Sequence, residues 1–328
     1  MWWLLATLSV LYLLGTTNNS FGEEKPDNPE AHMNISQIIA YWGYPGEEHE
    51  VVTEDGHVLL LNRIPYGKNS SGKGPLPVVY LQHGLLTAAS DWVLNLPNNS
   101  LAFMLADAGY DVWMGNSRGN AWSRKNIYFS PDLPEFWAFS FDEMAKYDLP
   151  ATINFILEMT GHEQLYYVGY SQGSTIAFMA FSTDQSLAWK VKVLFALSPI
   201  ITLKYMTSFL SNFSFFPKQM LKSRLDVYFS HISGTSTQTM FHWQQTTPPF
   251  YRVEDMKVPA ALWSGGSDFM TPSNDTENLL RRLPNVIYHK KIPSYTHMDF
   301  IWGMDASEQI YNELIQMMKQ NVSNFPML

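Results

Sequence analysis

Short, nearly unbroken apolar runs recur along this chain, and between them apolar residues return every three or four positions. A short continuous run bounded by turn residues reads as a strand buried on both faces, and the longer three-to-four spacing reads as a helix with one buried side. Val58 to Ile64, Val78 to Gln82, Asp111 to Met114, Leu165 to Val168, Val191 to Leu197, Ala260 to Ser264 and Val286 to Ile292 are the predicted strands. Val78 to Gln82 is almost wholly apolar, which places it centrally. The predicted helices are Ser100 to Ala108, ended by Gly109; Phe141 to Met159, closed by Gly161 despite Pro150 inside it; Ser174 to Phe181; Asp275 to Leu283; and Ala306 to about Asn321. Strands that alternate with helices predict an α/β fold with a mostly parallel central sheet and helices on both faces. From Ile200 to Phe250 the alternation stops. That stretch is rich in Phe, Met, Ser and Thr, holds Pro217, Pro248 and Pro249, and is expected to be an insertion at the carboxyl ends of the strands, where α/β proteins bind ligands.

The amino end has a different pattern. Trp2 to Leu14 is apolar but too short to span a bilayer, and the polar tract Thr16 to Ser20 follows it. Residues 1–19 are therefore expected to be a signal peptide, although no Lys or Arg precedes the apolar run. Residues 20–328 are expected to form a single domain. Asn-x-Ser/Thr triplets at Asn34, Asn69, Asn98, Asn212, Asn274 and Asn321 are glycosylation candidates consistent with export, and Asn18 is a further triplet near the expected cleavage point. No other long apolar run exists, so no transmembrane segment is expected. A net charge of −9 without a basic cluster argues against nucleic acid or an anionic membrane as partner. The absence of cysteine excludes disulfides, thiolate catalysis and cysteine-based zinc sites.

The most informative short segment is Gly169-Tyr170-Ser171-Gln172-Gly173, at a predicted strand-to-helix junction. Small residues at both ends allow a turn sharp enough to hold Ser171 above the sheet edge, as a nucleophile elbow requires. Acyl transfer by serine needs a base for the hydroxyl proton and a carboxylate that orients the base, and in this kind of fold the acid and the base follow late strands in that order. Asp268 follows Ala260 to Ser264, and His297 follows Val286 to Ile292. Rival carboxylates are Asp255, Asp299 and Asp305; weaker candidates for the base are His83, His242 and His289. An oxyanion hole needs two backbone N–H groups, one from the residue after the nucleophile, which is Gln172. The other is assigned to Leu85 in His83-Gly84-Leu85-Leu86, after the Val78 to Gln82 strand, with Leu86 as the nearest competitor. The histidines show no metal-ligand spacing and there is no phosphate-binding glycine loop, so neither a metal nor a cofactor is expected.

The runs Asn34-Ile35-Ser36-Gln37-Ile38-Ile39, Tyr41-Trp42-Gly43-Tyr44-Pro45, Leu81-Gln82-His83-Gly84-Leu85, Asn95-Leu96-Pro97-Asn98-Asn99-Ser100, Gly115-Asn116-Ser117-Arg118-Gly119-Asn120 and Asp142 to Asp148 give the chain a resemblance to the acid lipase family over nearly its whole length. The resemblance implies an α/β-hydrolase fold with a cap, and hydrolysis of triacylglycerols or sterol esters at an oil–water interface without a cofactor. It implies a secreted or lysosomal protein, of which the expected signal peptide and glycosylation candidates favour the secreted one, and it matches the family's nucleophile, acid, base and oxyanion donors to Ser171, Asp268, His297, Leu85 and Gln172. The chain departs from the family's pattern in three ways. Tyr170 and Ser174 stand where the family has His and Thr, and the bulkier Tyr170 is expected to press on the elbow. The cap, at about 200–252, is shortened near Phe216 to Tyr228 and again near Gln245 to Pro248. The family's cap cysteines are missing with it. A reduced lid leaves two expectations: an ester hydrolase with an open acyl trough, or a catalytically impaired, lipase-like lipid-binding protein.

Overall fold

The computed structural model describes residues 28–70, 72, 74–200, 220–242, 251–271 and 273–320. The expected signal peptide, Asn18, Asn212, Asn321, Pro217, Pro248, Pro249 and positions 201–219 and 243–250 of the expected insertion lie outside the described residues.

Nine strands among the described residues form one sheet: β1 (Glu47–Val52), β2 (His57–Ile64), β3 (Val78–Gln82), β4 (Asp111–Gly115), β5 (Lys125–Asn126), β6 (Leu165–Tyr170), β7 (Val191–Leu197), β8 (Ala260–Gly265) and β9 (Val286–Ile292). Their order is β1-β2-β4-β3-β6-β7-β8-β9, with β5 paired to β2. Strands β3, β4 and β6 to β9 are parallel, whereas β2 is antiparallel to β1, β4 and β5. Strand β3 shows why the apolar runs are unbroken. Val78 and Tyr80 enter one core and Val79 and Leu81 the other, because successive side chains point to opposite faces and both faces are covered. Helices Ile35–Tyr41, Leu101–Asp107 and Asn312–Lys319 cover the first face, through residues such as Ile38, Phe103 and Leu314. On the second, Leu149–Thr160, Gln172–Thr183 and Ser273–Arg282 pack through Ile153, Ile176 and Leu279.

Strand β5, helix Ile35–Tyr41 and a π-helical turn at Ser307–Tyr311 within the last expected helix are not in the sequence pattern, and two further differences have a plain physical cause. Strand β1 was hidden because it is an edge strand reading Glu-Glu-His-Glu-Val-Val, in which only Val51 is buried; charged edges of this kind discourage further pairing. The single helix expected from Phe141 to Met159 is instead an α-turn at Phe141–Glu143, a π-helical turn at Met144–Asp148, and an α-helix at Leu149–Thr160. Pro150 has no N–H for the regular ladder and its ring crowds the carbonyl one turn back, so the wider turn fits there.

From β3 the chain moves outward to β4 and returns to β6 on the other side of β3, so the connections reverse direction between β3 and β6. Open α/β sheets bind ligands at the carboxyl ends of the strands at such a point. The described part of the insertion lies over this edge as a turn, Lys222–Arg224, and helices Leu225–Ser230 and Thr237–His242. Its base is clamped by Arg224, whose guanidinium donates to both carboxylate oxygens of Glu30 at 2.6 Å and to the Leu94 carbonyl at 2.7 Å.

Candidate active site

Ser171 lies between β6 and helix Gln172–Thr183, with φ 52° and ψ −118°. A non-glycine residue in that region stores about 1–3 kcal/mol of strain and persists only where its surroundings hold it. Here the Ser171 N–H donates to the Leu197 carbonyl at 2.9 Å, and the Ser171 carbonyl accepts from Ser174 N–H at 2.9 Å. The Ser174 hydroxyl donates to the Gly169 carbonyl at 2.7 Å, closing the turn from the other side. A Cβ on Gly173 would lie 2.3 Å from the Gln82 carbonyl oxygen. Glycine at that position lets the helix start directly against the end of β3.

The elbow aims the Ser171 hydroxyl at His297, in the loop after β9, with 2.7 Å between Oγ and Nε2. His297 Nδ1 lies 2.9 Å from Asp268 Oδ2, in the loop after β8. All three residues are buried. An ionised carboxylate only accepts, so Nδ1 carries the proton and Nε2 is left to accept from Ser171. Burial pushes the Asp268 carboxyl up, but His297 and the Ser198 and Thr271 donors outweigh it and hold the group below its ordinary value. Its other oxygen, Oδ1, accepts from Met270 N–H at 2.9 Å and Thr271 N–H at 3.2 Å.

Tyr170 does not press on the elbow. Its hydroxyl donates to the His297 carbonyl at 3.0 Å, and its ring fills space left by the missing side chain of Gly84, where a Cβ would meet ring carbon Cε1 at 2.9 Å. One side chain therefore links the residue before Ser171 to the backbone of His297.

Gln172 is the first residue of the helix that follows Ser171, the position from which one oxyanion donor is expected. Leu85 follows Gly84, at which a Cβ would stand 3.2 Å from the Ser171 Cβ, so the Gly84–Leu85 backbone runs directly beside Ser171. Leu86 has φ 61°, and its carbonyl accepts from Ser233 N–H of the insertion at 2.8 Å. His83, a rival for the base, serves this loop instead. Its Nδ1 lies 2.7 Å from the Gly84 carbonyl, and its Nε2 accepts from Ser117 N–H at 3.0 Å. Burial pushes its pKa down to about 4, so it stays neutral with both nitrogens engaged.

The other rivals are held elsewhere. His289 pairs with the Ser264 hydroxyl at 2.9 Å, and His242 lies 3.5 Å from Asp142. Asp299 accepts from Thr296 N–H at 2.6 Å, Asp305 accepts from the Tyr295 hydroxyl at 2.9 Å, and Asp255 faces Arg252 at 3.2 Å. Among the glycosylation candidates, Asn69, Asn98 and Asn274 are exposed, whereas half-buried Asn34 caps the helix Ile35–Tyr41. Sequence reasoning missed Ser198, at the end of β7. Its hydroxyl contacts both Asp268 and His297, yet Leu197-Ser198-Pro199 reads as an ordinary strand end. Among the described residues no group of three or more His, Asp or Glu is placed to hold a metal ion, and no helix is long and apolar enough to cross a membrane.

Comparison with known proteins agrees with this architecture. The family described as "Partial alpha/beta-hydrolase lipase region" matches residues 35–96, and "alpha/beta hydrolase fold" matches 77–224. Gastric triacylglycerol lipase of Homo sapiens is 48% identical, covering 98% of this chain and 100% of its own. Lipase member K of Homo sapiens is 47% identical over 99% of this chain and 100% of its own, and lysosomal acid lipase/cholesteryl ester hydrolase of Macaca fascicularis is 45% identical over 89% and 92%. The alignment with the gastric enzyme runs over 396 positions, more than the 328 residues of this chain can fill, so that relative carries segments absent here. Among solved structures, an esterase of Pyrococcus furiosus superposes with a TM-score of 0.61 at 17% identity over 93% of this chain and 100% of its own. A bacterial membrane phospholipase A superposes with a TM-score of 0.60 at 16% identity over 96% and 99%; both likenesses speak to fold alone. On its identity to full-length relatives, the chain belongs to the acid lipase family, carboxylic ester hydrolases built on the α/β-hydrolase fold.

Proposed function

We propose that the protein is a secreted serine hydrolase that cleaves acyl esters of neutral lipids, triacylglycerols first among them, through Ser171, His297 and Asp268. The observation that carries this reading is the hydrogen-bonded chain from Ser171 Oγ through His297 to Asp268 Oδ2 at the carboxyl edge of the sheet. Ser171 attacks the ester carbonyl as His297 Nε2 takes its proton, and Asp268 holds the imidazole and balances the imidazolium charge. The N–H groups of Gln172 and Leu85 receive the oxyanion, a contribution of about 10²–10³ in rate for each donor. His297 then returns the proton to the departing alkoxide, and water releases the fatty acid from Ser171 by the same route.

The substrate class is carried over from the named activities of the gastric and lysosomal relatives. An apolar loop supports contact with an oil–water interface. Strand β2 runs antiparallel to β4, so its His57 end, with β5 and the loop after it, projects past the carboxyl edge on the same side as Ser171. In that loop Ile127 is 57% exposed, Tyr128 68% and Leu133 46%, a group of exposed apolar side chains suited to contact with an oil surface. The gaps relative to the gastric lipase favour a second reading, a lipid-binding protein with impaired turnover.

Tributyrin and p-nitrophenyl butyrate hydrolysis by wild type and Ser171→Ala is the test. A drop of about 10⁶ in kcat is expected, and equal rates would dismiss the assignment. Fluorophosphonate labelling of the wild type separates the two readings: an active Ser171 is labelled, and an inert one is not. Recovery of the protein from the culture medium of expressing cells tests secretion.

A further inference from the structure

Three non-glycine residues among those described have positive φ: Leu86 (61°), Ser171 (52°) and Ser198 (45°). All three border the same site. Two belong to the oxyanion loop and the elbow, and the third follows β7 with its side chain fully buried. Ser198 N–H donates to the Trp263 carbonyl at 2.8 Å, which fixes its backbone between β7 and β8. Its Oγ then reaches three partners: Asp268 Oδ2 in a short contact, His297 Nδ1 at 2.9 Å, and Thr271 Oγ1 at 3.3 Å. A hydroxyl has one proton, and the carboxylate can only accept, so Ser198 donates to Asp268. Its lone pairs then face the His297 Nδ1 proton, which is shared between Asp268 Oδ2 and Ser198 Oγ at equal distances of 2.9 Å.

We propose that Ser198 is a positioning residue of this hydrolase: its hydroxyl pins the Asp268 carboxylate and offers His297 Nδ1–H a second acceptor, holding the imidazole in the tautomer that receives the Ser171 proton. The proposal rests on the reading of Ser171, His297 and Asp268 as the reacting set and goes beyond it by naming a fourth residue. It accounts for a buried serine kept in a backbone conformation that favours glycine. With Ser198 and the Met270 and Thr271 N–H groups, three donors besides His297 converge on one carboxylate. Each stabilises the ionised form of Asp268 and helps to hold that carboxyl below its ordinary value. Other titratable groups around the pair are Tyr170 from β6, whose ring lies beside His297, and Asp299, Asp91 and Tyr311, which interact with Tyr170. Variants at position 198 leave all four unchanged.

The test is the pH profile of kcat/KM for tributyrin hydrolysis by wild type, Ser198→Ala, Ser198→Gly and Ser171→Ala. Loss of the Ser198 donor is expected to move the acid limb upward by about one pH unit, and to lower kcat with KM unchanged. Ser198→Gly also relieves the backbone strain, so it should fold at least as well and show the same limb. Acid limbs coincident with wild type in both variants, with Ser171→Ala inactive, would overturn the role of Ser198 and leave the triad standing. Activity that survives Ser171→Ala removes the triad reading instead. Should either variant be folded but too slow to profile, the titration of the low-field Nδ1–H proton resonance decides: an upward midpoint supports the proposal and an unmoved one overturns it.

Discussion

Tyr170 joins two parts of the site through one hydroxyl, since it neighbours Ser171 in sequence and donates to the His297 carbonyl. Tyr170→Phe keeps the ring that fills the space beside Gly84 and removes this bond together with the hydroxyl's weaker contact with Met298 Sδ at 3.3 Å. The expected result is a kcat lower by roughly fivefold, the scale of about 1 kcal/mol, with KM unchanged; an unchanged kcat would show the link to be idle. Gly84→Ala makes the converse change. Its methyl would meet Tyr170 Cε1 at 2.9 Å and Ser171 Cβ at 3.2 Å, so the Leu85 N–H must move. A fall of about 10²-fold in kcat, comparable to losing one oxyanion donor, is expected from initial rates. Ser171, Asp268 and His297 were legible in the sequence because each stands in a constrained place: a glycine-flanked turn, or the loop after a late strand. Ser198 was not, because its role depends on β7 and β8 lying side by side and nothing in Leu197-Ser198-Pro199 encodes that neighbour.

At the level of elements, β7 and β9 span the residues predicted from their apolar runs, and β3 is central as its lack of polar positions implied. Strand β1 was concealed by its charges, and the π-turn at Met144–Asp148 by a pattern that does not distinguish one turn width from another. The turn has a structural use. It carries Asp148, whose carboxylate takes Arg118 Nε–H at 2.8 Å in the buried loop after β4. The described part of the insertion depends on a second buried ion pair, Arg224 with Glu30. Arg224→Met leaves Glu30 charged, buried and without its partner cation, and is expected to cost about 3–5 kcal/mol in urea unfolding. Limited proteolysis should then cut first between residues 220 and 242; digestion indistinguishable from wild type would show that other contacts hold this segment.

Across the whole molecule, buried titratable groups make stability depend on pH in two opposing directions. Burial and, for His57, the nearby Arg118 push the pKa values of His57 and His83 from 6.5 to about 4. The unfolded chain takes up these protons below its own value while the folded protein refuses them, so this stability is present above 6.5 and lost as pH falls through about 4. Asp91 acts the other way, because burial raises it from 3.8 to about 7 against a Thr87 hydrogen bond, and its Oδ2 has no hydrogen-bond partner among the described residues. Its contribution is present below 3.8 and lost as pH rises through about 7. Asp91→Asn is therefore expected to raise the thermal midpoint by a few degrees at about pH 8 and to change it little at about pH 4; equal shifts at both would contradict a buried neutral acid. The sequence by itself determined the alternation of strands and helices, the central place of β3, the elbow and the order of its partners, because periodicity, glycine placement and chain order are local or sequential properties. Only the tertiary structure decided that His83 braces the loop after β3, that Tyr170 fits beside Gly84, that Ser198 reaches Asp268 and that Asp91 is sealed from water. Each of those follows from which distant segments lie side by side, and from how much water is left between them.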